Sequence, residues 1–298
     1  MSEILLSGAT GFLGSHIRAS FSSDRLATVG RANSDDYLCD LSSAVPSFDQ
    51  YFSMVIHAAG KAHLVPQSTS QKSSFFDVNV NGTSNLLLGL ERAKPPRSLV
   101  FISSVAVYGK DSGIEIVEDT LLNAREPYGL SKVLAERSIQ EWCKKNDVIC
   151  TILRLPLIAA PNPPGNLKLM IQGIKKGYYF NISGRNAKKS MVLAEDVAKI
   201  LPGAANVGGI YNLTDGYHPS FSELSSLIAK QLQKNNPVNI PNWLATIMAK
   251  SGDILGSKAP INSDKLRKIT SNLTFDDTKA RNLLGWNPTP VLEGFKLS

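Results

Sequence analysis

The stretch Ser7–Ile17, SGATGFLGSHI, follows the short apolar run Ile4–Leu6 and leads into a helical pattern over Leu13–Phe21. Its glycines, Gly8, Gly11 and Gly14, are each three residues apart. Glycines at a strand-to-helix turn permit a tight bend and let backbone approach a pyrophosphate closely. The helix N-terminus then presents unpaired N–H groups and the positive end of the helix dipole to an anion. A glycine triplet alone is weak evidence, but strand, turn and helix in this order favour a dinucleotide-binding βαβ unit. Gly8, Thr10, Gly11, Phe12, Leu13 and Gly14 are the residues of this turn expected against the dinucleotide.

Working outward, short apolar runs at Ala27–Val29, Met54–Ala59, Ser98–Ser103 and Val148–Leu153 alternate with helical patterns at Asn79–Ala93 and Tyr128–Lys144. Such alternation predicts a parallel sheet covered on both faces, a doubly wound α/β architecture. After Arg154 the texture changes. Residues 155–168, LPLIAAPNPPGNLK, are rich in proline and read as a loop. Helical pieces follow at Leu167–Lys176, Ala194–Ala204, Phe221–Leu232 and Asn242–Ser251, and Ile210–Leu213 offers one more strand. The expected organisation is a Rossmann-like domain over residues 1–155, its sheet completed by about 190–215. A smaller substrate-binding lobe is expected from residues 156–189 and 216–298.

Of the 298 residues, 43% are hydrophobic and 19% charged, the balance of a globular enzyme. The net charge of +7 comes from scattered cations with short clusters at Lys144–Lys145, Lys175–Lys176 and Lys188–Lys189. No long basic run with interleaved aromatics argues for nucleic acid, whereas a mild positive excess suits an anionic small molecule such as a nucleotide, or is simply a solvated basic surface. Cys39, Cys143 and Cys150 have neither the even number of a disulfide framework nor the spacing of a metal site. Reduced thiols, no signal-peptide pattern and no apolar run near 18 residues lead to the expectation of a cytoplasmic protein without a membrane span.

The chemistry concentrates in two segments. FISSVAVYG, residues 101–109, ends a strand on Ser103 and Ser104, and Tyr128 and Lys132 sit one helical turn apart on PYGLSKVLAERSIQEW, residues 127–142. Hydride transfer between a carbinol and a nicotinamide needs a proton moved at the oxygen. A free tyrosine, with a pKa near 10, is a poor base at neutral pH. A lysine ammonium and an oxidised nicotinamide nearby are expected to lower it. Lys132 is also suited to hold the nicotinamide ribose, and Ser104 to orient the substrate oxygen. Ala58, Ala59 and Gly60 in IHAAGKAH are small, as expected where backbone passes close to a cofactor. His57 lies in an apolar strand and reads as a packed histidine rather than an acid or base; His63 is the other histidine of the segment.

The second strand decides between cofactors, because an acidic residue at its end would bind the ribose 2′-hydroxyl of NAD. Here it ends in Gly30-Arg31, and an arginine fork suits a 2′-phosphate. NADP is therefore favoured, with NAD kept open by Asp35 and Asp36.

The glycine spacing and GATGFLG resemble the extended branch of the short-chain dehydrogenase/reductases, the branch of nucleotide-sugar epimerases, dehydratases and ketoreductases. The resemblance runs through the Ser104, Tyr128 and Lys132 set to the C-terminal DDTKARNLLGWNP, residues 276–288. It implies that Asp40 and Leu41 lie near the adenine, that Asn79 holds the central helix by the active site, and that Ser103 and Pro156 border the cofactor. It implies substrate contacts from Ser104, Val105, Asn166 and Arg185, with Asp196 on the helix after the returning strand, and a homodimer built through the helices at Asn79–Ala93 and Tyr128–Lys144. The 4,6-dehydratases of this branch carry an Asp-Glu pair where this chain has Val105-Ala106, so dehydration is not expected. Ala159-Ala160 and Lys189-Ser190 also depart from the family pattern and leave the sugar unidentified. Reduction of a 4-keto nucleotide sugar leads. A 4-epimerase with tightly held NAD is the alternative, and a dinucleotide-binding protein without activity the minor one.

Overall fold

The computed structural model describes residues 3–21, 25–62, 66, 68–184, 186–254 and 261–297. Its first half runs β1 (Ile4–Ser7), α1 (Phe12–Ser20), β2 (Leu26–Gly30), β3 (Tyr37–Leu38), β4 (Met54–His57), α2 (Thr69–Phe76), α3 (Gly82–Ala93), β5 (Ser98–Ser104), β6 (Gly113–Ile116), α4 (Pro127–Lys145) and β7 (Ile149–Leu155). The second half adds β8 (Leu157–Ala159), α5 (Gly165–Lys176), β9 (Phe180–Ile182), β10 (Met191–Leu193), α6 (Ala194–Ala204), β11 (Gly209–Asn212) and α7 (Phe221–Gln231). It ends with β12 (Val238–Ile240), α8 (Asn242–Asp253), α9 (Ser263–Thr270), β13 (Leu273–Phe275), α10 (Thr278–Leu284) and α11 (Val291–Gly294).

Seven strands form one parallel sheet in the order β11-β7-β5-β4-β1-β2-β3. Its central strands are continuous apolar runs because both faces are covered. Alternate residues separate the two cores, as the two-residue period of a strand requires. Ile4 and Leu6 pack with Leu13 and Ile17 of α1 and Val197 and Leu201 of α6. Leu5 packs with Leu86 and Leu90 of α3 and Ala135 and Ile139 of α4. Sequence order reverses between β1 and β4, which opens a crevice at the carboxyl ends of the strands.

The remaining strands make three two-stranded parallel ribbons, β8 with β10, β9 with β12 and β6 with β13. A third core joins α5, α7 and the C-terminal segment through Leu167, Met170, Leu224, Ile228, Val291 and Phe295.

Two expectations are corrected. Residues 155–168 are not all loop, since Leu157–Ala159 pair in register with Met191–Leu193. The prolines at 156 and 161 flank this strand and remove no donor from it. The helix expected from Asn79 begins ten residues earlier, where the Ser68 hydroxyl caps it by accepting from the Gln71 N–H. A single π-turn, Asp77–Asn81, then links α2 to α3.

Candidate active site

Backbone sterics build the glycine turn. Gly8 has φ +76°, and a Cβ there would lie 2.6 Å from the Ala59 nitrogen and 2.9 Å from the Ala58 carbonyl carbon. The end of β1 thus rests directly on the end of β4. A Cβ at Gly14 would lie 1.9 Å from the Gly8 carbonyl oxygen, so α1 can seat itself only on a glycine. Gly11 donates its N–H to that same oxygen at 3.0 Å. It is the N-cap of α1 and brings no side chain to the unpaired N–H groups. Thr10 and Gly11 are exposed, Phe12 half-buried, and Leu13 and Gly14 buried. Backbone N–H groups at a glycine turn on the N-terminus of α1 fit the pyrophosphate of a dinucleotide.

Just past β2, Arg31 is exposed with its Nη1 3.9 Å from the Asp40 carboxylate. Asp40 accepts the Ser42 N–H at 3.0 Å and its hydroxyl at 2.7 Å. These bonds, with Arg31 behind them, hold the Asp40 carboxyl below its ordinary range. Leu41 is buried in the α3–α4 core. The acids that keep NAD open are engaged locally. Asp36 accepts the Thr28 N–H at 2.8 Å and its hydroxyl at 3.0 Å. Asp35 accepts the Ala32 N–H at 2.9 Å, and among the described residues its other oxygen is buried without a partner.

Parallel registry brings the catalytic candidates to the same crevice. Ser7 lies level with His57, His57 with Phe101, and Ser104 with Leu155. Ser104 ends β5 and accepts the Ala106 N–H at 3.2 Å, opening a short 3-10 turn that holds Val105 half-buried. Tyr128, in the first turn of α4, has its phenol within reach of the Ser104 hydroxyl. Burial pushes the phenol pKa up and the Ser104 hydrogen bond offsets part of that rise. The expected lowering by Lys132 is therefore not a property of the protein alone, because Lys132 is turned to other partners. Its Nζ donates to the Ile102 carbonyl at 2.9 Å and lies 4.5 Å from the Phe101 ring centroid. Lys132 is buried, and desolvation lowers its pKa to about 8 against the upward pull of Glu136. A Cβ at Gly60 would lie 3.1 Å from Lys132 Nζ and 3.2 Å from Asn79 Oδ1, so that glycine keeps the space between them clear.

Asn79 sits in the π-turn, where helical backbone is displaced by one residue, a feature that recurs at functional sites. Its side chain accepts the Lys61 N–H at 2.7 Å and donates to the Lys61 carbonyl at 3.1 Å and to Ser131 Oγ at 2.8 Å. It thereby ties the β4 exit to α4 and is not a helix cap. His57 is fully bonded. Thr83 spends its hydroxyl proton on the Asn79 carbonyl at 2.6 Å, so His57 Nε2, 2.9 Å away, must be the donor to Thr83. Nδ1 then accepts from Ser7 Oγ at 2.6 Å. Burial lowers the His57 pKa to about 3, which keeps the ring neutral.

Sequence reading passed over the groups beneath this set. Glu136, one turn beyond Lys132, is fully buried and bidentate with Arg154 at 2.8 and 3.1 Å. Ser103 donates to the same carboxylate. Arg154 also donates to the Tyr108 hydroxyl at 3.1 Å and the Glu118 carbonyl at 2.9 Å. Tyr108 in turn donates to Asn212 at 2.8 Å. The only signal available was the four-residue spacing of Tyr128, Lys132 and Glu136.

Pro156, expected at the cofactor, is half-buried between β7 and β8, and Asn166, expected at the substrate, is exposed in the first turn of α5. Arg185 and His63 lie outside the described residues. Asp196 holds the C-terminal segment by accepting the Thr289 N–H at 2.8 Å. Lys189 is buried, donates to the Lys268 carbonyl at 2.7 Å, and its pKa is lowered by burial to about 8. Among the described residues, no helix is long and apolar enough to cross a membrane.

Comparison with known proteins agrees with this fold. The chain is 27% identical over 317 aligned positions to the UDP-glucose 4-epimerase of Vibrio cholerae, covering 99% of this chain and 93% of that protein. Among solved structures, MoeE5 in complex with UDP-glucose and NAD superposes with a TM-score of 0.75 at 23% identity, over 98% of this chain and 96% of MoeE5. RMD from Pseudomonas aeruginosa complexed with NADPH superposes at 0.73 with 19% identity, over 96% of this chain and 94% of RMD. Residues 4–213, which hold the glycine turn, Ser104, Tyr128 and Lys132, match the model of one family, and the chain belongs to it: the NAD dependent epimerase/dehydratase family.

Proposed function

We propose that this protein reduces the 4-keto group of a nucleotide-linked sugar with NADPH. The observation that carries the reading is Ser104 against Tyr128 at the crevice, with Val105 and Ala106 following where a dehydratase would need acids. Neither Val105 nor Ala106 can move a proton, so the site is left with oxidoreduction at one carbinol carbon. When bound, the dinucleotide supplies or accepts the hydride. Ser104 orients the substrate oxygen and Tyr128 gives or takes its proton. Lys132, with a proton to spare from Ile102, holds ribose hydroxyls. Gly8, Thr10, Gly11, Phe12, Leu13, Gly14, Ala58, Ala59, Gly60, Asn79, Ser103 and Pro156 border the dinucleotide, and Val105 and Asn166 the sugar nucleotide.

Exposed Arg31 and the local engagement of Asp35 and Asp36 support NADP over NAD. Calorimetric titration of cofactor-stripped protein with NADPH and NADH, beside mass spectrometry of any co-purifying cofactor, tests this. Exchangeable NADPH is expected, with affinity falling roughly tenfold or more in Arg31→Ala, the cost of one charge-assisted fork. Stoichiometric, non-exchanging NAD would replace the reading with a 4-epimerase, which the Vibrio cholerae relative favours. Tyr128→Phe is expected to lower turnover by about 10²–10⁴-fold while dinucleotide affinity is kept. A variant as active as the parent would remove Tyr128 from the chemistry, and no turnover in either protein would leave only dinucleotide binding.

A further inference from the structure

The chain contains no Asp or Glu from Val148 to Ala194, yet seven Lys or Arg. From Leu224 to Gly252 there is again no carboxylate, and three lysines. The fold brings these single-signed stretches together, since β9 pairs with β12, setting Phe180 opposite Val238. Between the C-terminal ends of α5 and α7 lies an open cleft of about 320 Å³ lined by Lys175, Lys176, Tyr179, Lys234 and Val238, among others. Lys175, Lys176, Lys230, Lys234 and Lys250 are all exposed, and no described carboxylate pairs with any of them.

Large apolar side chains are exposed in or next to the same stretches of the chain. Tyr178 is 61% and Val238 71% exposed. One residue after β12, α8 buries Ala245, Ala249 and Gly252 and turns the opposite face outward. That face carries Trp243 at 64% and Ile247 at 54% exposure, then Lys250, then Ile254 at 88% just past the helix end. Spacings of four, three and four residues hold these side chains on one stripe.

A second copy of the chain meeting this face about a two-fold axis would set lysines against lysines. An acidic phospholipid surface matches both features, phosphates for the ammonium groups and the interfacial zone for Trp and Ile. Aliphatic Ile and Val beside the aromatics suit an acyl boundary better than stacked bases. We propose that the outward face of α8, centred on Trp243, Ile247 and Lys250, acting with the Lys175–Lys176 cleft that Val238 of the preceding strand helps to line, docks the protein peripherally on an acidic lipid bilayer. None of these residues is among those of the candidate active site, so the proposal stands whatever reaction that site performs.

The test uses the full chain and phosphatidylcholine vesicles with and without phosphatidylglycerol. Trp142 and Trp286 are buried, so a change in tryptophan fluorescence reports on Trp243. Sedimentation with the acidic vesicles alone is expected, with a blue shift and quenching by brominated lipid. Trp243→Ser with Ile247→Ser, and separately Lys175→Glu with Lys176→Glu, are each expected to weaken partition roughly tenfold. Both pairs are exposed, and unchanged circular dichroism confirms folding. Absence of binding to acidic vesicles overturns the proposal. So does binding that heparin abolishes and the Trp243/Ile247 variant leaves intact, which would mean polyanion affinity alone. A concentration-dependent dimer in light scattering, lost in that variant, would assign the face to a second copy.

Discussion

Burial and charge pull Lys132 in opposite directions. Desolvation lowers its pKa to about 8, and Glu136, one turn away, pulls it upward. Lys132 should therefore lose its proton near pH 8, and dinucleotide affinity should show an alkaline limb with that midpoint. Removing the Glu136 charge lowers the lysine pKa further, because its upward pull on the ammonium is lost. Glu136→Gln is thus expected to move the limb to lower pH. It also breaks a buried ion pair, at a cost of about 3–5 kcal/mol. Glu136→Gln combined with Arg154→Met should recover most of that stability and still show a limb below the parent's. Affinity measured by fluorescence across pH, beside urea denaturation, separates the two effects. A limb unmoved in both variants would reduce Glu136 to a packing role. Ser104, Tyr128 and Lys132 were legible in sequence because their signature is spacing within one strand end and one helix. The Glu136–Arg154 pair was not, since it joins residues that only the packing of α4 on β7 brings together.

At the scale of elements, steric limits are sharpest at α1. Gly14→Ala places a methyl carbon 1.9 Å from the Gly8 carbonyl oxygen, and the helix must retreat from the turn. A loss of about 1–3 kcal/mol is expected, together with dinucleotide affinity. Gly203→Ala, in α6 with nothing within 4 Å, is the matched control. It should be neutral or stabilise by about 0.4–1 kcal/mol. Thermal melts with and without NADPH compare the two. The sheet strands β1, β4, β5 and β7 were readable because strands buried on both faces are unbroken apolar runs. The ribbons were not, because three residues carry no periodicity. Nor was α2, whose TSQKSSFF has almost no apolar stripe. The π-turn that turns Asn79 inward depends on that unseen helix.

For the whole molecule, the C-terminal segment is a clasp. Trp286, buried, donates from Nε1 to the Thr214 carbonyl at 2.9 Å. Asp277 joins Thr214 at 3.0 Å to Arg281 at 2.8 Å, and Asp215 accepts the Val291 N–H at 3.0 Å. The LGWNP signature that resembled a sugar-nucleotide enzyme is, in this fold, what fastens the chain end to β11 and α6. Trp286→Ala is expected to cost about 3–5 kcal/mol. Urea unfolding should show it, and a loss below 1 kcal/mol would mean the clasp is incidental.

The ribbon of β6 and β13 joins Gly113–Ile116 to Leu273–Phe275, and Asn212 bonds to both the Ile116 and Asp276 carbonyls. During synthesis, every strand of the central sheet has been made once Asn212 emerges. β6, by contrast, must wait with an open edge until residue 273 leaves the ribosome. Pairing this distant is slow, and an unpaired edge is prone to associate with other chains. The nascent protein therefore passes through a stage in which the central sheet has a complete set of strands while β6 still presents an open edge. A stall between Asn212 and Leu273 is where a chaperone would find the most to hold.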